Sequence, residues 1–501
     1  MNSLYSNLIK PNLDNDKTFL FEDDGNSITY KDFIAIASKV SHKLTNLGLN
    51  AGDIILVKSP KSKEALSLYL TSILTGSVYL PLNSSYTINE TIYFIKDSNP
   101  SFLICEKDDV NYLKSICDEI NCKILSLNKD GKGELTNSLD SFPTYFESKI
   151  RHADDLAALL YTSGTTGKPK GAMLSQGNLT SNAKQLSSLW EISNKDILIH
   201  SLPIYHTHGL FVAINTSMIA SAAIRFIKGF NLELIIEAIP NSTLLMGVPT
   251  FYSRLLKDKR LTKSLTRNMR LFISGSAPLL DETHNQFENI TGHKILERYG
   301  MTETNMNTSN PLKGERKPGS VGKTLKDTLI RITNIDDGKL LKDNELGMIE
   351  IKGPNVFSGY LNKPDKTNEA FTEDNFFITG DIGYFDDDGY LFISGRNKDL
   401  IISGGYNVYP KEIEDVINSY NGIVESAVFG LPDEDLGEIP AAAIVVSEKN
   451  YDMSSLKEFI TKNLAKYKVP RKYFLLSELP RNIMGKIQKN NLKDKYSQLS
   501  K

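Results

Sequence analysis

Hydroxyls at Thr162, Ser163, Thr165 and Thr166, glycines at Gly164 and Gly167 and a cation at Lys168 fall within one short stretch, Tyr161-Thr-Ser-Gly-Thr-Thr-Gly-Lys-Pro-Lys-Gly171. The apolar run Leu156-Ala-Ala-Leu-Leu160, which reads as a strand, precedes it. A loop of this kind suits polyphosphate. Its glycines let backbone N–H groups approach phosphate oxygens, its hydroxyls donate hydrogen bonds, and Lys168 offsets charge on a diphosphate. It is not a Walker loop, because Pro169 follows Gly167-Lys168 where that motif takes Ser or Thr and opens a helix.

Four further strings follow in order: Glu297-Arg-Tyr-Gly-Met-Thr-Glu303, Thr379-Gly-Asp381, Gly395-Arg-Asn-Lys-Asp399 and Pro480-Arg-Asn-Ile-Met-Gly-Lys486. With them the chain resembles, over essentially its whole length, the adenylate-forming superfamily of acyl-CoA synthetases, adenylation domains and luciferases. The resemblance implies an α/β fold. A large N-terminal domain (1–396) would hold two α/β sheets plus a distorted β-barrel, and a small mobile α+β domain (397–501) would follow. It also implies ATP and CoA as co-substrates, Mg²⁺, and conversion of a carboxylate to an acyl-adenylate and then a thioester.

Site roles follow from the same resemblance. The loop Thr162–Lys168 would cradle the phosphates, the Gly275-Ser276-Ala277 turn would flank adenine, and Glu297, Tyr299, Gly300 and Met301 would lie along the nucleotide. Thr302 would touch the α-phosphate, and Thr165 and Glu303 would hold Mg²⁺, a hard cation suited to oxygen ligands. Asp381, assisted by Arg396, would grip the ribose diol, two donors facing an acceptor-only group. Lys486 would bridge the incoming carboxylate and the α-phosphate, where a compact ammonium stabilises two meeting anions. Lys398 would be the pivot of the small domain, and Gly404-Gly405 would serve thioester formation. Plainer readings stay open: Lys486 as one lysine of a basic tail, Lys398 as a surface lysine, and Gly404-Gly405 as a tight turn.

Around the acid, Leu202-Pro-Ile-Tyr-His-Thr-His-Gly-Leu210, Met246-Gly-Val-Pro-Thr-Phe-Tyr-Ser-Arg254 and Glu297-Arg298 resemble the malonyl-CoA synthetases of that superfamily. A second carboxylate cannot enter an apolar slot without several kcal/mol of desolvation unless cations meet it. Arg254 and Arg298 are the candidates for that fork-shaped reception, with His206, Ser276 and Met301 completing the lining. Arg254 also reads as a solvated helix arginine, and Arg298 as an ion-pair partner of Glu297. Methylmalonate, another short acid, or loading of a carrier protein remain alternatives. His206 and His208 lack a carboxylate or cysteine at metal-site spacing, so zinc is not expected.

The elements that must carry these residues alternate between periods. Phe33, Ala37, Val40 and Leu44 share one face of a helix from Tyr30, while Asp53-Ile-Ile-Leu-Val57 and Ser101-Phe-Leu-Ile-Cys105 read as strands. A polar connection (127–152) precedes a second α/β region (180–300) and a strand-rich stretch (318–395) with turns at Asp336-Asp-Gly338 and Asp386-Asp-Asp-Gly389. Beyond a boundary at about 397 come a strand at Leu400–Ile402, a helix from Pro410 ended by Gly422, strands at about 424–429 and 440–446, a helix at about 454–466 and a strand at about 472–476.

The 58 basic and 60 acidic residues nearly cancel, so no long-range field points to nucleic acid or anionic lipid. Cys105, Cys117 and Cys122 form neither a disulfide framework nor a zinc knuckle, which suits a reducing cytosol. The absence of a long apolar run or Arg-rich presequence predicts a cytoplasmic protein that spans no membrane. Its expected partners are small molecules (malonate, ATP, CoA), its expected state a monomer or homodimer.

Overall fold

In a computed structural model, the helix read from Tyr30 runs Tyr30–Asn46 and is opened by Thr29, whose side chain accepts a hydrogen bond from the Asp32 amide. Phe33, Ala37, Val40 and Leu44 are all buried, as the 3.6-residue period requires. The next helix, Lys63–Thr75, is capped by Ser62 and ends at Gly76, whose φ of 70° is left-handed. It is almost wholly buried, so it packs on both sides rather than along one stripe.

Residues 2–162, 168–404, 406–447, 452–482 and 485–497 are described. They fall into two units, Met1–Leu329 with Ile351–Phe377, and Ile330–Glu350 with Ile378–Lys501. The first unit holds two sheets. One has six strands, in the order Lys123–Ser126, Phe102–Cys105, Ile54–Lys58, Val78–Pro81, Leu156–Thr162 and Lys170–Ser175. All its pairings are parallel except the last, which is antiparallel.

The other sheet has nine strands. Its six central strands are parallel neighbours: Leu296–Met301, Leu271–Ser274, Leu244–Gly247, Ile197–His200, Ala223–Phe226 and Thr18–Glu22. Leu245, Ile199 and Phe272 on these strands pack with Tyr252, Leu255 and Phe287 from the covering helices. These strands read as apolar runs because both faces are covered.

The second unit carries a four-stranded sheet (Leu329–Thr333, Gly347–Lys352, Phe377–Phe385, Leu391–Arg396) and a five-stranded one. Where a distorted barrel was expected, the four-stranded sheet shows no closing pair among the described residues. The helix from Pro410 runs to Asn418 and buries Ile413 and Ile417. It stops short of Gly422, which instead uses a φ of 87° to turn into the strand Ile423–Asp433. Once Ile417 is packed, no further helical position is buried, and a turn must reverse the chain. Among the described residues no helix is long and apolar enough to cross a membrane.

Candidate active site

Parallel strands deliver their C-terminal ends to one edge of a sheet, where open α/β sheets hold ligands. Here the four adjacent strands ending at His200, Gly247, Ser274 and Met301 do so. The chain leaving the first carries His206 and His208, the chain leaving the third is Gly275-Ser276-Ala277, and the fourth continues into Thr302 and Glu303. Ser276 takes a left-handed φ of 71°, and its hydroxyl lies 3.4 Å from His208 Nδ1.

Arg298, on the strand Leu296–Met301, is 3% exposed. Its Nε and Nη2 are buried with no hydrogen-bond partner among the described residues. Successive side chains of a strand point to opposite faces, so Glu297 cannot neutralise it. The Glu297 carboxylate lies instead 3.9 Å from His284. Burial pulls the Arg298 guanidinium down to about 9, which still leaves it charged near neutrality. Burial, and then the charge of Arg298, hold His206 down at about 4 and His208 well below the ordinary imidazole range. The cluster is thus one uncompensated cation flanked by two neutral imidazoles. A buried, unpaired charge costs several kcal/mol, and an arriving anion removes that cost.

Gly275 lies against this guanidinium: a Cβ there would come within 2.4 Å of Arg298 Cζ. Gly275→Ala is therefore expected to displace the end of a flexible side chain rather than the backbone. It should raise the KM for the acid roughly tenfold or more while the melting temperature stays near that of the parent. Steady-state kinetics with a thermal melt checks both.

Glu303 is buried, and its Oε1 accepts a hydrogen bond from Tyr360 OH at 3.0 Å. The Lys170 ammonium stands 3.9 Å from the centre of the Tyr360 ring. Thr302 is half-buried in the turn between Leu296–Met301 and Asn305–Ser309. Gly300 is obligatory there, since a Cβ would meet Asn305 O at 1.9 Å. Tyr299 is buried, with its hydroxyl 4.0 Å from Met301 Sδ. Ala277 is half-buried.

Thr162 ends its strand opposite Lys170. Lys168 is exposed, 5.6 Å from the Tyr93 ring centre, and Tyr93 OH donates to Pro169 O at 2.6 Å. Ser163, Gly164, Thr165, Thr166 and Gly167 lie outside the described residues, as does Gly405. Arg254 is exposed on the last turn of Pro249–Leu255, its guanidinium 5.0 Å from the Phe230 ring centre. Among the described residues no hydrogen bond or ion pair joins its side chain to Arg298, His206 or His208.

In the second unit Asp381 and Arg396 are register partners on adjacent antiparallel strands, with Arg396 Nε 2.9 Å from Asp381 Oδ1. Asp381 is buried, and its amide donates to Thr379 Oγ1 at 2.9 Å. Lys398 is exposed in the short turn Asn397–Asp399 directly after that strand. Gly404 takes a φ of 58°, and its amide donates to Leu436 O at 2.9 Å.

Lys486 and Asn482 are tied to each other by two hydrogen bonds. The Asn482 amide donates to Lys486 O and the Lys486 amide to Asn482 Oδ1, both at 2.9 Å. Arg481 braces the loop by donating to Gly485 O at 2.6 Å while pairing with Glu425. The residue as a whole is exposed, and the pKa of its ammonium is depressed. Desolvation, then repulsion from Arg396 against the pull of Asp381, lowers it to about 8.

Sequence reasoning missed Tyr360, whose link to Glu303 spans 57 residues and leaves no local signal. It weighed His208 only as a metal ligand, although the His-x-His spacing does place both rings at one strand end.

Residues 10–361 match the family model for AMP-binding enzymes, and residues 412–486 match the model for the AMP-binding enzyme C-terminal domain. A malonate–CoA ligase of Arabidopsis thaliana is 34% identical, covering 92% of this chain and 81% of that one. An oxalate–CoA ligase of the same plant is 32% identical over 91% of this chain and 90% of its own. The crystal structure of ATP-bound MatB from Rhodopseudomonas palustris is 47% identical over the full length of both chains, with a TM-score of 0.98. Matched by both models, this chain belongs to the AMP-binding enzyme family.

Proposed function

We propose that the chain is an ATP-dependent malonate–CoA ligase. One malonate carboxylate oxygen attacks the α-phosphorus of ATP and displaces diphosphate, forming malonyl-adenylate. The CoA thiol, losing its proton, then attacks the activated carbonyl and expels AMP. The observation that carries the choice of acid is Arg298, a buried guanidinium with unpartnered N–H groups. It receives the carboxylate that does not react. His206, His208 and Ser276 line the same site without adding charge, and Met301 closes its strand end. Arg254, exposed beside Phe230, is the second cation of this reading, in a supporting role.

For the nucleotide, Asp381 with Arg396 holds the ribose, and Thr302 meets the α-phosphate. The loop from Thr162 to Lys168 holds the outer phosphates, and Gly275, Ser276, Ala277, Glu297, Tyr299 and Gly300 form the wall along the base and sugar. Mg²⁺ suits the donor chemistry at Glu303, a carboxylate oriented by the Tyr360 phenol, with Thr165 as second ligand; when bound, it neutralises phosphate charge. Lys486 supplies the cation where carboxylate and phosphate meet. Residues 397–501 then reorient about Lys398, so that Gly404 and Gly405 serve the thioester step.

A panel of acids assayed for CoA-dependent AMP release tests this. Malonate is expected to lead, with methylmalonate within the roughly 10–200-fold that one methyl group commands. Acetate, which offers Arg298 no anion, should be poor. An enzyme that turned over acetate or butyrate faster than malonate would remove the dicarboxylate assignment.

A further inference from the structure

Lys61 sits in the loop between the strand Ile54–Lys58 and the helix Lys63–Thr75, yet its ammonium reaches into the nine-stranded sheet. Its three N–H groups are shared among four acceptors, Ile227 O at 2.6 Å, His200 Nδ1 at 2.7 Å, and His200 O and Leu202 O at 3.0 Å each. The Phe226 ring centre is 4.3 Å away. Because His200 Nδ1 accepts from an ammonium, the ring proton sits on Nε2, which donates to Gly209 O at 2.8 Å. The two ends of the segment Leu202–Gly209 are therefore pinned by one ammonium, directly at Leu202 and through the imidazole at Gly209. His206 and His208 lie between the pins. Gly209 has no slack either, since a Cβ there would meet Pro203 O at 2.0 Å.

We propose that Lys61 is a positioning residue for the acid pocket, and that its cage of carbonyls and imidazole nitrogen accepts a free monovalent cation when the lysine is removed. Four acceptors within hydrogen-bonding range of one ammonium form the kind of shell in which carbonyl oxygens replace the hydration of potassium. Burial lowers the Lys61 pKa well below its ordinary value against the pull of Asp23, and an apolar replacement takes the ammonium donor from Ile227 O and Leu202 O, whereas His200 O keeps the Ile227 amide. The segment then relaxes, and the imidazoles beside Arg298 move with it.

The inference rests on His206, His208 and Arg298 forming the acid pocket. That reading is tested apart from it, by the acid panel on the unaltered enzyme. For Lys61→Ala, the KM for malonate should rise roughly 10- to 100-fold, the loss expected from displacing a lining group by about 1 Å, while the KM for ATP stays near the parent value. Ammonium or potassium chloride should recover much of the loss, and choline chloride at the same ionic strength should not. A loss shared equally by ATP and malonate, no loss at all, or a folded variant insensitive to all three salts would overturn the proposal.

Should Lys61→Ala fail to fold, the imidazole decides. His200→Gln keeps an acceptor for Lys61 and a donor for Gly209 and should retain the malonate KM, whereas His200→Ala should raise it. Equal values for the two variants would overturn the proposal. Failed cation rescue together with an intact malonate preference in the parent overturns this proposal and leaves the acid-pocket reading standing.

Discussion

Lys486→Ala is expected to slow malonyl-adenylate formation by about 100- to 1,000-fold, the range for removing one preorganised donor from a developing charge. The same variant should convert supplied malonyl-adenylate and CoA to the thioester at close to the parent rate, because by then the two anions are already joined. ATP–diphosphate exchange reads the first step alone. The pH dependence supplies a second signature. The ammonium is the active form, and in the free enzyme it is held down to about 8 by desolvation and Arg396. It is fully present below that pH and lost above it. The profile of kcat/KM for adenylation should therefore fall on its alkaline side near 8, while that of kcat falls at higher pH, because bound nucleotide favours the cation. In Lys486→Ala the alkaline fall should vanish. Full-speed exchange by the variant would end the assignment.

Arg298→Met should separate function from stability. With no guanidinium to meet the second carboxylate, kcat/KM for malonate is expected to drop by about 10³ to 10⁴, approaching the discrimination of sites whose polar groups are left unmatched. Nucleotide binding should be spared, and acetate should lose far less than malonate. The protein should meanwhile become more stable, since the variant replaces a buried cation whose Nε and Nη2 have no partner among the described residues. Exchanging such a charge for an apolar side chain of similar volume is neutral or stabilising by about 1–4 kcal/mol. Malonate should raise the melting temperature of the parent, by binding the folded form alone, and should leave that of the variant unchanged. A variant that melted earlier and kept its malonate preference would show that Arg298 is a structural residue.

Much of the second unit was legible in advance. The helix from Pro410, the strands Ile423–Asp433 and Gly437–Val446, the helix Met453–Asn463 and the strand Lys472–Leu476 fall within a few residues of the periodic readings. Their apolar positions repeat with the period of the element they form, and Pro410 and Gly404 punctuate them with the dihedrals each favours. Gly422 misled because a left-handed glycine serves a strand entry as well as a helix exit. Arg254 and Arg298 looked equivalent as lone arginines after apolar segments. One lies exposed over Phe230 and the other is enclosed beneath Gly275, and only packing tells them apart.

The amino-acid sequence by itself determined the reaction class, because the family resemblance rests on short contiguous runs: the hydroxyl- and glycine-rich loop at 161–171, Thr379-Gly-Asp381 and the loop that ends at Lys486. Such runs act within a few residues of backbone and survive in the linear text. What the tertiary structure alone decided is the surroundings of the proposed acid pocket. Among the described residues Arg298 has no counter-ion because the strand pleat turns Glu297 away, Glu303 is oriented by a phenol 57 residues distant, and Lys61 holds a carbonyl 166 residues away. Those contacts depend on the order in which strands assemble into sheets, a long-range outcome that no local periodicity encodes.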